Sequence, residues 1–339
     1  MSRYQIFIAV LALIASSATS TAQTVYPDSA IRQRMQTEER EFLSSMKPGL
    51  QHTQMLAVRK AMQGDDSDLQ QIRASRNQVQ VLPEAVNAYY PTPDICLFIP
   101  KSNAKHKRPI LLYLHGGGWC FGSINSCARF CAAVALEGDC AVAALNYRLA
   151  PAHPYPAALE DIRQAVSYLR TNAAHWGCDS TQIAVGGDSA GGNLALAAGM
   201  SVPGIDKIIP IYPVTKLFTE ITPSWTTYGQ GYGNDAELLE AFNEAYANHD
   251  ERNPLISVGL SSDEALKSLP PALFISAGHD ILLDQTAELV DRMNSLGCSV
   301  SYHVYPTATH LFITVPGQPT AFSEAVTAVS KFLNSSLNE

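Results

Sequence analysis

The chain has 339 residues, of which 46% are hydrophobic and only 16% are charged. This composition argues against a disordered protein, because it supplies enough apolar surface for a large buried core. Acidic residues outnumber basic ones by 31 to 23, which gives a formal net charge of −8, and no run of Lys or Arg is present. Nucleic acid and anionic membrane surfaces are therefore not expected as partners.

The first residues have the pattern of a secretory signal peptide. Arg3 precedes a short apolar run over residues 6–15, and the small residues Ser20 and Ala22 follow. The run is short for crossing a bilayer, so we expect residues 1–22 to be removed, leaving a chain that begins near Gln23 without a stable membrane span. A membrane-tethering helix is the alternative interpretation. The pattern predicts a periplasmic or secreted protein.

Residues 23–77 are polar and helix-prone, and we expect them to form an N-terminal helical cap segment. From about residue 78, apolar runs of strand length alternate with helical patterns. Several of these runs are apolar throughout, as strands buried on both faces are. The predicted strands are residues 95–99, 110–114, 141–146, 183–186, 207–211, 272–277 and 301–305.

Apolar residues recur every three or four positions over residues 159–169 and 322–333, which predicts amphipathic helices there. Residues 215–262 interrupt the alternation with a loop rich in Pro, Gly and Tyr and a helical pattern over 235–247. We interpret this stretch as an insertion that packs with the N-terminal helices over one end of the sheet. The alternation predicts an α/β fold, with a mainly parallel sheet covered by helices on both faces.

Seven cysteines leave several arrangements open. If the chain is exported, one or more disulfides are compatible with this number, and at least one thiol remains unpaired. No further ligands stand at short spacing from any of them, which argues against zinc. The favoured interpretation is that they are small buried apolar residues, with one bridge at most. They are Cys96, Cys120, Cys127, Cys131, Cys140, Cys178 and Cys298.

The stretch from Gly187 to Gly191 has the form G-x-S-x-G, with Ser189 at its centre, between an apolar run and a helical pattern. When a strand turns directly into a helix, the residue at the apex projects clear of the sheet. Only very small residues fit two positions before and two positions after that apex, where the strand and the helix nearly touch. The pattern therefore predicts that Ser189 is a nucleophile.

A serine hydroxyl is a weak nucleophile until a base takes its proton and an acid orients that base. In a sheet of this kind the partners follow in the order acid then histidine, each after a later strand. Asp280 and His310 stand after two of the predicted strands, and we expect them to be the acid and the base. Asp284 is the alternative acid, in a position where a helix is expected to have begun. His279 is expected to make a loop hydrogen bond.

A glycine-rich loop from His115 to Trp119 follows the predicted strand 110–114. Consecutive glycines at a strand end let backbone N–H groups approach a ligand, as an oxyanion hole requires. We expect the donors to be Gly117, Gly118 and Ala190, the residue after the nucleophile, with Gly116 as a substitute for either glycine. A phosphate-binding loop is disfavoured, because neither a Lys-Ser/Thr tail nor the G-x-G-x-x-G spacing is present.

Together these motifs resemble the hormone-sensitive-lipase-like branch of the α/β-hydrolases. The resemblance is carried by HGGGW at residues 115–119, GDSAGGN at 187–193, and Asp280 and His310 in that order. NYRLAP at residues 146–151 and LPPA at 269–272 add to it, and the match spans roughly residues 95–333. The sequence departs from the family pattern at Ala152, where Glu is usual, and at Ile281, where Pro is frequent.

The resemblance implies a carboxylesterase with an eight-stranded α/β-hydrolase core over residues 78–339. It also implies a helical cap made by the N-terminal helices and an insertion at about 215–262. The implied substrates are small esters with short or medium acyl chains, and neither a metal nor a cofactor is implied. We expect hydrolysis through an acyl-enzyme on Ser189, and aromatic residues that line the pocket: Trp119, Phe121, Trp225, Tyr228 and Tyr232.

Other functions are compatible with the same motifs. A sugar O-acetyl esterase, a lactonase or an amidase uses the same three side chains, and the pocket decides among them. A non-catalytic ligand receptor on this scaffold is disfavoured, because the chain retains His310. The sequence leaves the oligomeric state open, with a homodimer among the expected assemblies.

Overall fold

The computed structural model describes residues 24–102, 104 and 106–335, so the predicted signal peptide lies outside the described residues. Within these residues one nine-stranded sheet forms the centre of the molecule. All seven predicted strands are confirmed, most of them longer by one to five residues at an end. The strands are Thr24–Val25 (β1), Val86–Thr92 (β2), Ile95–Pro100 (β3), Arg108–Leu114 (β4), Ala141–Leu145 (β5), Cys178–Asp188 (β6), Lys207–Ile211 (β7), Ala272–His279 (β8) and Val300–Thr309 (β9).

The strand order across the sheet is β1-β9-β8-β7-β6-β4-β5-β3-β2. Every neighbouring pair from β1 to β5 is parallel, and only β3 and β2 run antiparallel to their neighbours. The mainly parallel sheet is thus confirmed, with the two-residue β1 added at one edge to the eight strands expected. The pattern analysis missed β2, because this edge strand contains Pro91 and exposes Tyr89 and Tyr90.

Helices cover both faces of the sheet and its carboxyl edge. They are Ser29–Ser45 (α1), Leu50–Met62 (α2), Ser67–Arg76 (α3), Ile124–Gly138 (α4), Ala157–Asn172 (α5), Ala190–Ser201 (α6), Pro223–Tyr228 (α7), Ala236–Ala247 (α8), Asp263–Lys267 (α9), Leu283–Ser295 (α10) and Pro319–Asn334 (α11). Two short 3₁₀ helices, Ala173–Trp176 and Val258–Leu260, complete the described elements.

The strands separate two apolar cores. Along β4, Ile110, Leu112 and Leu114 face the core beneath α5, α6 and α10, whereas Leu111 and Tyr113 face the core beneath α4 and α11. This alternation follows from the pleat of a strand, which points successive side chains to opposite faces. Because both faces are buried, the whole strand reads as apolar in the sequence.

A second layer of helices lies over the carboxyl edge of the sheet. We call α1–α3, α7 and α8 the helical cover. Its two parts come from distant segments of the chain, and they meet where α2 packs on α8. Gln51 joins them further, because its Oε1 accepts a hydrogen bond from the Asp235 N–H at 3.0 Å. In the part of the chain that the structure describes, no helix combines the length and the apolar character needed to cross a membrane.

Candidate active site

The strand β6 ends at Asp188 and the helix α6 begins at Ala190, so Ser189 alone makes the turn between them. Its backbone has φ 56° and ψ −117°, a conformation that L residues rarely adopt. A Cβ on Gly187 would lie 2.2 Å from the Leu114 carbonyl oxygen, and one on Gly191 would lie 1.9 Å from the same atom. The two glycines are therefore needed for this turn, which projects Ser189 above the sheet.

The Ser189 hydroxyl heads a line of hydrogen bonds. Its Oγ lies 2.8 Å from His310 Nε2, and His310 Nδ1 lies 2.6 Å from Asp280 Oδ2. Each of the three residues comes directly after a strand, namely β6, β8 and β9. Because the carboxyl ends of parallel strands meet at one edge of the sheet, residues separated by 121 positions of sequence come into contact.

The line is almost entirely buried. Asp280 is 1% exposed, His310 6% and Ser189 8%. The second oxygen of Asp280, Oδ1, accepts a hydrogen bond from the Leu282 N–H at 3.0 Å, which fixes the carboxylate in its plane. A carboxylate held against Nδ1 keeps the imidazole in the tautomer whose free Nε2 accepts a proton from serine.

The two neighbouring candidates of the acid loop have other partners. Asp284 lies in the first turn of α10, where its Oδ2 accepts a hydrogen bond from the Ser224 N–H at 2.8 Å. His279 was expected to make a loop hydrogen bond, but its partner is Glu39 of the helix α1, and its ring stacks on Tyr228 with centroids 5.0 Å apart. Asp280 is thus the carboxylate that contacts His310, and Asp284 does not.

The glycine-rich loop after β4 lies beside Ser189, and its three glycines differ. The N–H of Gly116 donates to Asp188 Oδ1 at 3.0 Å, so the expected role of Gly116 as a substitute oxyanion donor is wrong. Gly117 and Gly118 adopt φ 110° and φ 60°, and their N–H groups have no hydrogen-bond partner among the residues described. The N–H of Ala190 belongs to the first turn of α6, whose N–H groups have no acceptor within the helix.

Asp188 is a site residue that the sequence analysis missed. Its Oδ1 accepts hydrogen bonds from the Tyr113 hydroxyl at 2.9 Å and from Gly116, so it fastens the glycine-rich loop to the strand that carries Ser189. Burial raises the pKa of the Asp188 carboxyl to about 6, although these hydrogen bonds oppose the shift. The sequence did contain a signal for this role, because Asp188 is a charged residue at the apolar carboxyl end of a strand.

His115, the first residue of the glycine-rich loop, helps to hold this loop in place. Burial lowers its pKa to about 4, so the ring is neutral at pH 7, and its Nδ1 lies 2.9 Å from the Gly116 carbonyl oxygen. The ring stacks on Tyr147 at 4.3 Å, and the Tyr147 hydroxyl donates to the His115 carbonyl oxygen at 2.7 Å. These contacts hold the loop in place.

A cavity of about 450 Å³ opens above Ser189, between the carboxyl edge of the sheet and the helical cover. The glycine-rich loop and His310 form its floor, and α1, α2 and α8 supply most of its apolar wall. None of the five aromatic residues expected to line the pocket does so. The apolar residues that do are Phe42, Met46, Leu50, Leu238, Phe242, Leu311 and Val315.

The expectation for Trp119 and Phe121 is wrong because both are fully buried beneath the cavity wall. Trp119 stacks on Tyr246 of α8, with ring centroids 4.5 Å apart and planes 4° from parallel. Phe121 packs edge-on against Phe242, with centroids 5.4 Å apart, so that Phe242 faces the cavity in its place.

Trp225, Tyr228 and Tyr232 lie on and after α7, outside the cavity lining. Trp225 packs against the core beneath α10, and the rings of Tyr228 and Tyr232 meet at 5.0 Å above His279. Their expected place in the pocket is therefore also wrong. They brace the cover against the acid loop instead.

Metal ligation has no candidate in the described ranges, where no group of three or more His, Cys, Asp or Glu side chains could hold an ion. All seven cysteines carry free thiols in this structure, and six of them are buried. Burial raises the pKa of the Cys120 thiol to about 12, which makes it inert at neutral pH.

Comparison with known proteins identifies the family of the chain. A family model described as an alpha/beta hydrolase fold matches residues 111–314, more than half of the chain. Esterase LipI of Mycobacterium tuberculosis is 34% identical over 225 residues, which cover 65% of this chain and 70% of the relative. An ethyl acetate hydrolase of Pseudomonas putida is 36% identical over 211 residues, covering 60% of this chain and 65% of the relative.

Among solved structures, a thermostable esterase of Pseudomonas putida superimposes with a TM-score of 0.71 at 22% identity. The match covers 86% of this chain and all of the esterase, and at this identity it shows the fold alone. The family model and the similar esterases confirm the resemblance that the motifs carry. The chain belongs to the alpha/beta hydrolase fold family, in its hormone-sensitive-lipase-like branch, and is a serine carboxylic ester hydrolase.

Proposed function

We propose that this hydrolase cleaves small esters with short or medium acyl chains, with Ser189 as nucleophile, His310 as base and Asp280 as the residue that orients it. The observation that carries the proposal is the continuous line of short contacts, 2.8 Å from Ser189 Oγ to His310 Nε2 and 2.6 Å from Nδ1 to Asp280. The line ends in the floor of the cavity, where a bound ester carbonyl meets the hydroxyl.

The reaction runs in two acyl transfers. His310 takes the Ser189 proton while Oγ attacks the ester carbonyl carbon, and the carbonyl oxygen becomes an oxyanion. Protonated His310 then gives its proton to the leaving alcohol, which departs and leaves an acyl-enzyme. A water molecule repeats both steps, with His310 again as base, and the acid product leaves as Ser189 recovers its proton.

The oxyanion is held by the backbone N–H groups of Gly117, Gly118 and Ala190. The first two lack partners in the described part of the protein, and the third is at the N-terminus of α6, which adds partial positive charge. Each such donor is worth about 3 kcal/mol to the transition state when it is preorganised. Asp188 contributes to this preorganisation, because it accepts a hydrogen bond from Gly116, the residue before Gly117.

The size of the cavity supports the preference for small esters. Its volume is about 450 Å³, and the Phe242 ring lies directly above Gly118, where a Cβ would meet it at 2.1 Å. This ring limits the space next to the oxyanion site. The similarity to an ethyl acetate hydrolase supports the same class of substrate.

The test of the nucleophile is Ser189→Ala. We expect hydrolysis of 4-nitrophenyl acetate to fall by at least about 10⁴-fold, since no other hydroxyl takes the place of the nucleophile. The matched control is Ser295→Ala, an exposed serine at the end of α10. A fluorophosphonate probe should label the wild type and the control but not Ser189→Ala. Near-normal turnover by a correctly folded Ser189→Ala protein would contradict the assignment.

Export is part of the same proposal and rests on the N-terminal pattern of residues 1–22. N-terminal sequencing of the protein from fractionated cells should give Gln23 as the first residue, and an intact Met1 in the soluble intracellular fraction would contradict export. The sequence leaves the oligomeric state open, and sedimentation velocity decides it, since a homodimer would give twice the mass of the processed monomer.

A further inference from the structure

The cavity above Ser189 has a charge opposite to that of the protein as a whole. The chain carries 31 acidic and 23 basic residues, yet the cavity is lined by two cations, Lys47 and Arg76, and by a single acid, Asp188. Asp188 lies at the floor with its Oδ1 engaged by Tyr113 and Gly116. Lys47 and Arg76 are solvent-exposed residues of the cavity lining, so an entering ester meets positive charge.

Arg76 differs from Arg73, one turn earlier on α3, in that its guanidinium has no hydrogen-bond partner among the described residues. The Arg73 guanidinium is used within the fold, because it donates to the carbonyl oxygens of Cys120 and Ala150 at 2.8 Å each. Arg76 makes no hydrogen bond and no ion pair with any described residue, although its guanidinium carbon lies 4.9 Å above the Phe121 ring. Its donors are therefore available to a ligand in the cavity.

The position of Arg76 is close to the reaction centre. The Phe121 N–H donates to the Gly117 carbonyl oxygen at 2.8 Å, so the ring beneath Arg76 belongs to the residue that closes the glycine-rich loop. The same ring packs against Phe242, which covers Gly118. One side chain thus separates the guanidinium from the proposed oxyanion site.

Further polar groups in the cavity lack partners. Gln54 is only 3% exposed, lines the cavity, and makes no hydrogen bond to the rest of the described chain. Asn234 is 6% exposed, and its Nδ2 is buried without a partner in the described ranges. Buried amides are nearly always hydrogen-bonded in folded proteins, so the unpartnered Asn234 Nδ2 is one of the exceptions among the described residues, and the unpartnered Gln54 amide, which lines the cavity, is available to a polar ligand. Lys47, between α1 and α2, makes no ion pair with a described residue.

We propose that the substrate of this site is an ester that carries a second, ionised group, a carboxylate, which Arg76 and Lys47 bind while Ser189 attacks the ester carbonyl. Gln54 hydrogen-bonds the polar atoms between the two groups. This inference rests on the proposed function, because it names the substrate class of the same site. A guanidinium binds a carboxylate through two parallel hydrogen bonds, which favours a carboxylate over a neutral amide of the same shape.

The carboxylate can belong to the acyl part or to the alcohol part of the ester, and two matched substrate pairs distinguish these sources. Monoethyl glutarate and ethyl 4-carbamoylbutanoate differ only in the terminal group of the acyl part. 4-Acetoxybenzoate and 4-acetoxybenzamide differ only in the alcohol part. The measurement is kcat/KM for all four esters with the wild type. We expect the carboxylate to be preferred by about tenfold in one pair.

The double variant Arg76→Gln/Lys47→Gln should reduce this ratio to about one, whereas Arg76→Lys, which keeps the charge but loses the paired hydrogen bonds, should give an intermediate ratio. The ratio within a pair is insensitive to partial loss of folded enzyme. The matched control is Arg34→Gln/Arg40→Gln, which removes the same charge from the exposed side of α1 and should retain the wild-type ratio. The preference should also shrink with added salt, since it is electrostatic.

A ratio of one or less in both pairs overturns the proposal, and so does a preference that the double variant retains. If the proposed function itself is wrong, the result is different. The wild type would then hydrolyse neither the four esters nor 4-nitrophenyl acetate.

Discussion

At the carboxyl edge of the sheet the polar side chains around Ser189 are joined to one another, whereas in the helical cover several polar side chains face the cavity without a partner. His310, Asp280 and Asp188 all have hydrogen bonds within the fold. Gln54 and Arg76, on α2 and α3, have none among the described residues. Arg76 is exposed to solvent, but Gln54 is only 3% exposed and borders the same cavity as His310, so for Gln54 the difference does not come from burial.

This contrast separates two tasks. Catalysis needs atoms held within a few tenths of an ångström, and a strand end with saturated hydrogen bonds gives such rigidity. Recognition needs donors and acceptors that remain free until the ligand arrives. We infer that the sheet edge determines the reaction and the cover determines the substrate, and the following variants test this division from the largest expected effect to the smallest.

Asp280→Asn should have the largest effect, because an amide at this position stabilises the wrong tautomer of His310. We expect kcat for 4-nitrophenyl acetate to fall by about 10⁴-fold with the fold intact. Asp284→Asn is the matched control, since Asp284 contacts Ser224 and not His310. Equal losses in the two variants would contradict the assignment of the acid.

Gly191→Ala and Gly49→Ala together compare the packing of the sheet edge with that of the helical cover. The new Cβ would lie 1.9 Å from the Leu114 carbonyl oxygen, so we expect the free energy of unfolding to fall by at least about 3 kcal/mol. Gly49→Ala, in the cover, places a Cβ at φ 74° with no atom within 4 Å, and should cost about 1 kcal/mol of backbone strain. Urea denaturation of both variants measures the difference, and equal losses would remove the contrast in packing.

Asp188→Asn tests the buried carboxylate through pH. Because burial raises the folded pKa from 3.8 to about 6, the folded protein keeps this proton between pH 4 and 6 while the unfolded chain has lost it. The wild type should therefore lose stability relative to Asp188→Asn as the pH rises through this interval. The relative loss is about 2–3 kcal/mol and is complete above pH 7. Urea denaturation at pH 4 and pH 7.5 checks the sign, and a gain for the wild type would contradict it.

Phe242→Ala should have the smallest effect, a change in selectivity. Removal of the ring opens the cavity above Gly118, so the ratio of kcat/KM for 4-nitrophenyl hexanoate over the acetate should rise about fivefold. Phe218→Ala is the control, because Phe218 lies in the same insertion but outside this cavity. A ratio unchanged by Phe242→Ala would show that the cover does not select the acyl chain.

Much of the fold was predictable because its information is local. The strand β7 has the predicted bounds, and α5 buries Leu159, Ile162, Val166 and Leu169 at the expected spacing. Strands buried on both faces are apolar throughout, which makes them recognisable without any knowledge of their neighbours. The strands β1 and β2 were not predicted, since an edge strand with an exposed face lacks this pattern.

The pocket was the least predictable part. Aromatic residues near the motifs were expected in its wall, but Trp119 and Phe121 fill the core under the loop. The wall comes instead from Phe42 and Phe242, which stand 200 positions apart in the sequence and meet only when α1 and α8 lie over the sheet. No local pattern records which of several buried aromatic rings faces a cavity.

The sequence by itself determined seven of the nine strands, the turn that lifts Ser189, and which later acid and histidine stand after strands. These features depend on backbone sterics and on periodicity, which act over a few residues. Only the tertiary structure decided that Gly116 is engaged by Asp188, 72 positions away, and that Arg76 and Gln54 remain unpartnered in the cavity. Whether a buried polar group has a hydrogen-bond partner depends on which distant residues folding brings next to it, and a local sequence pattern does not contain this information.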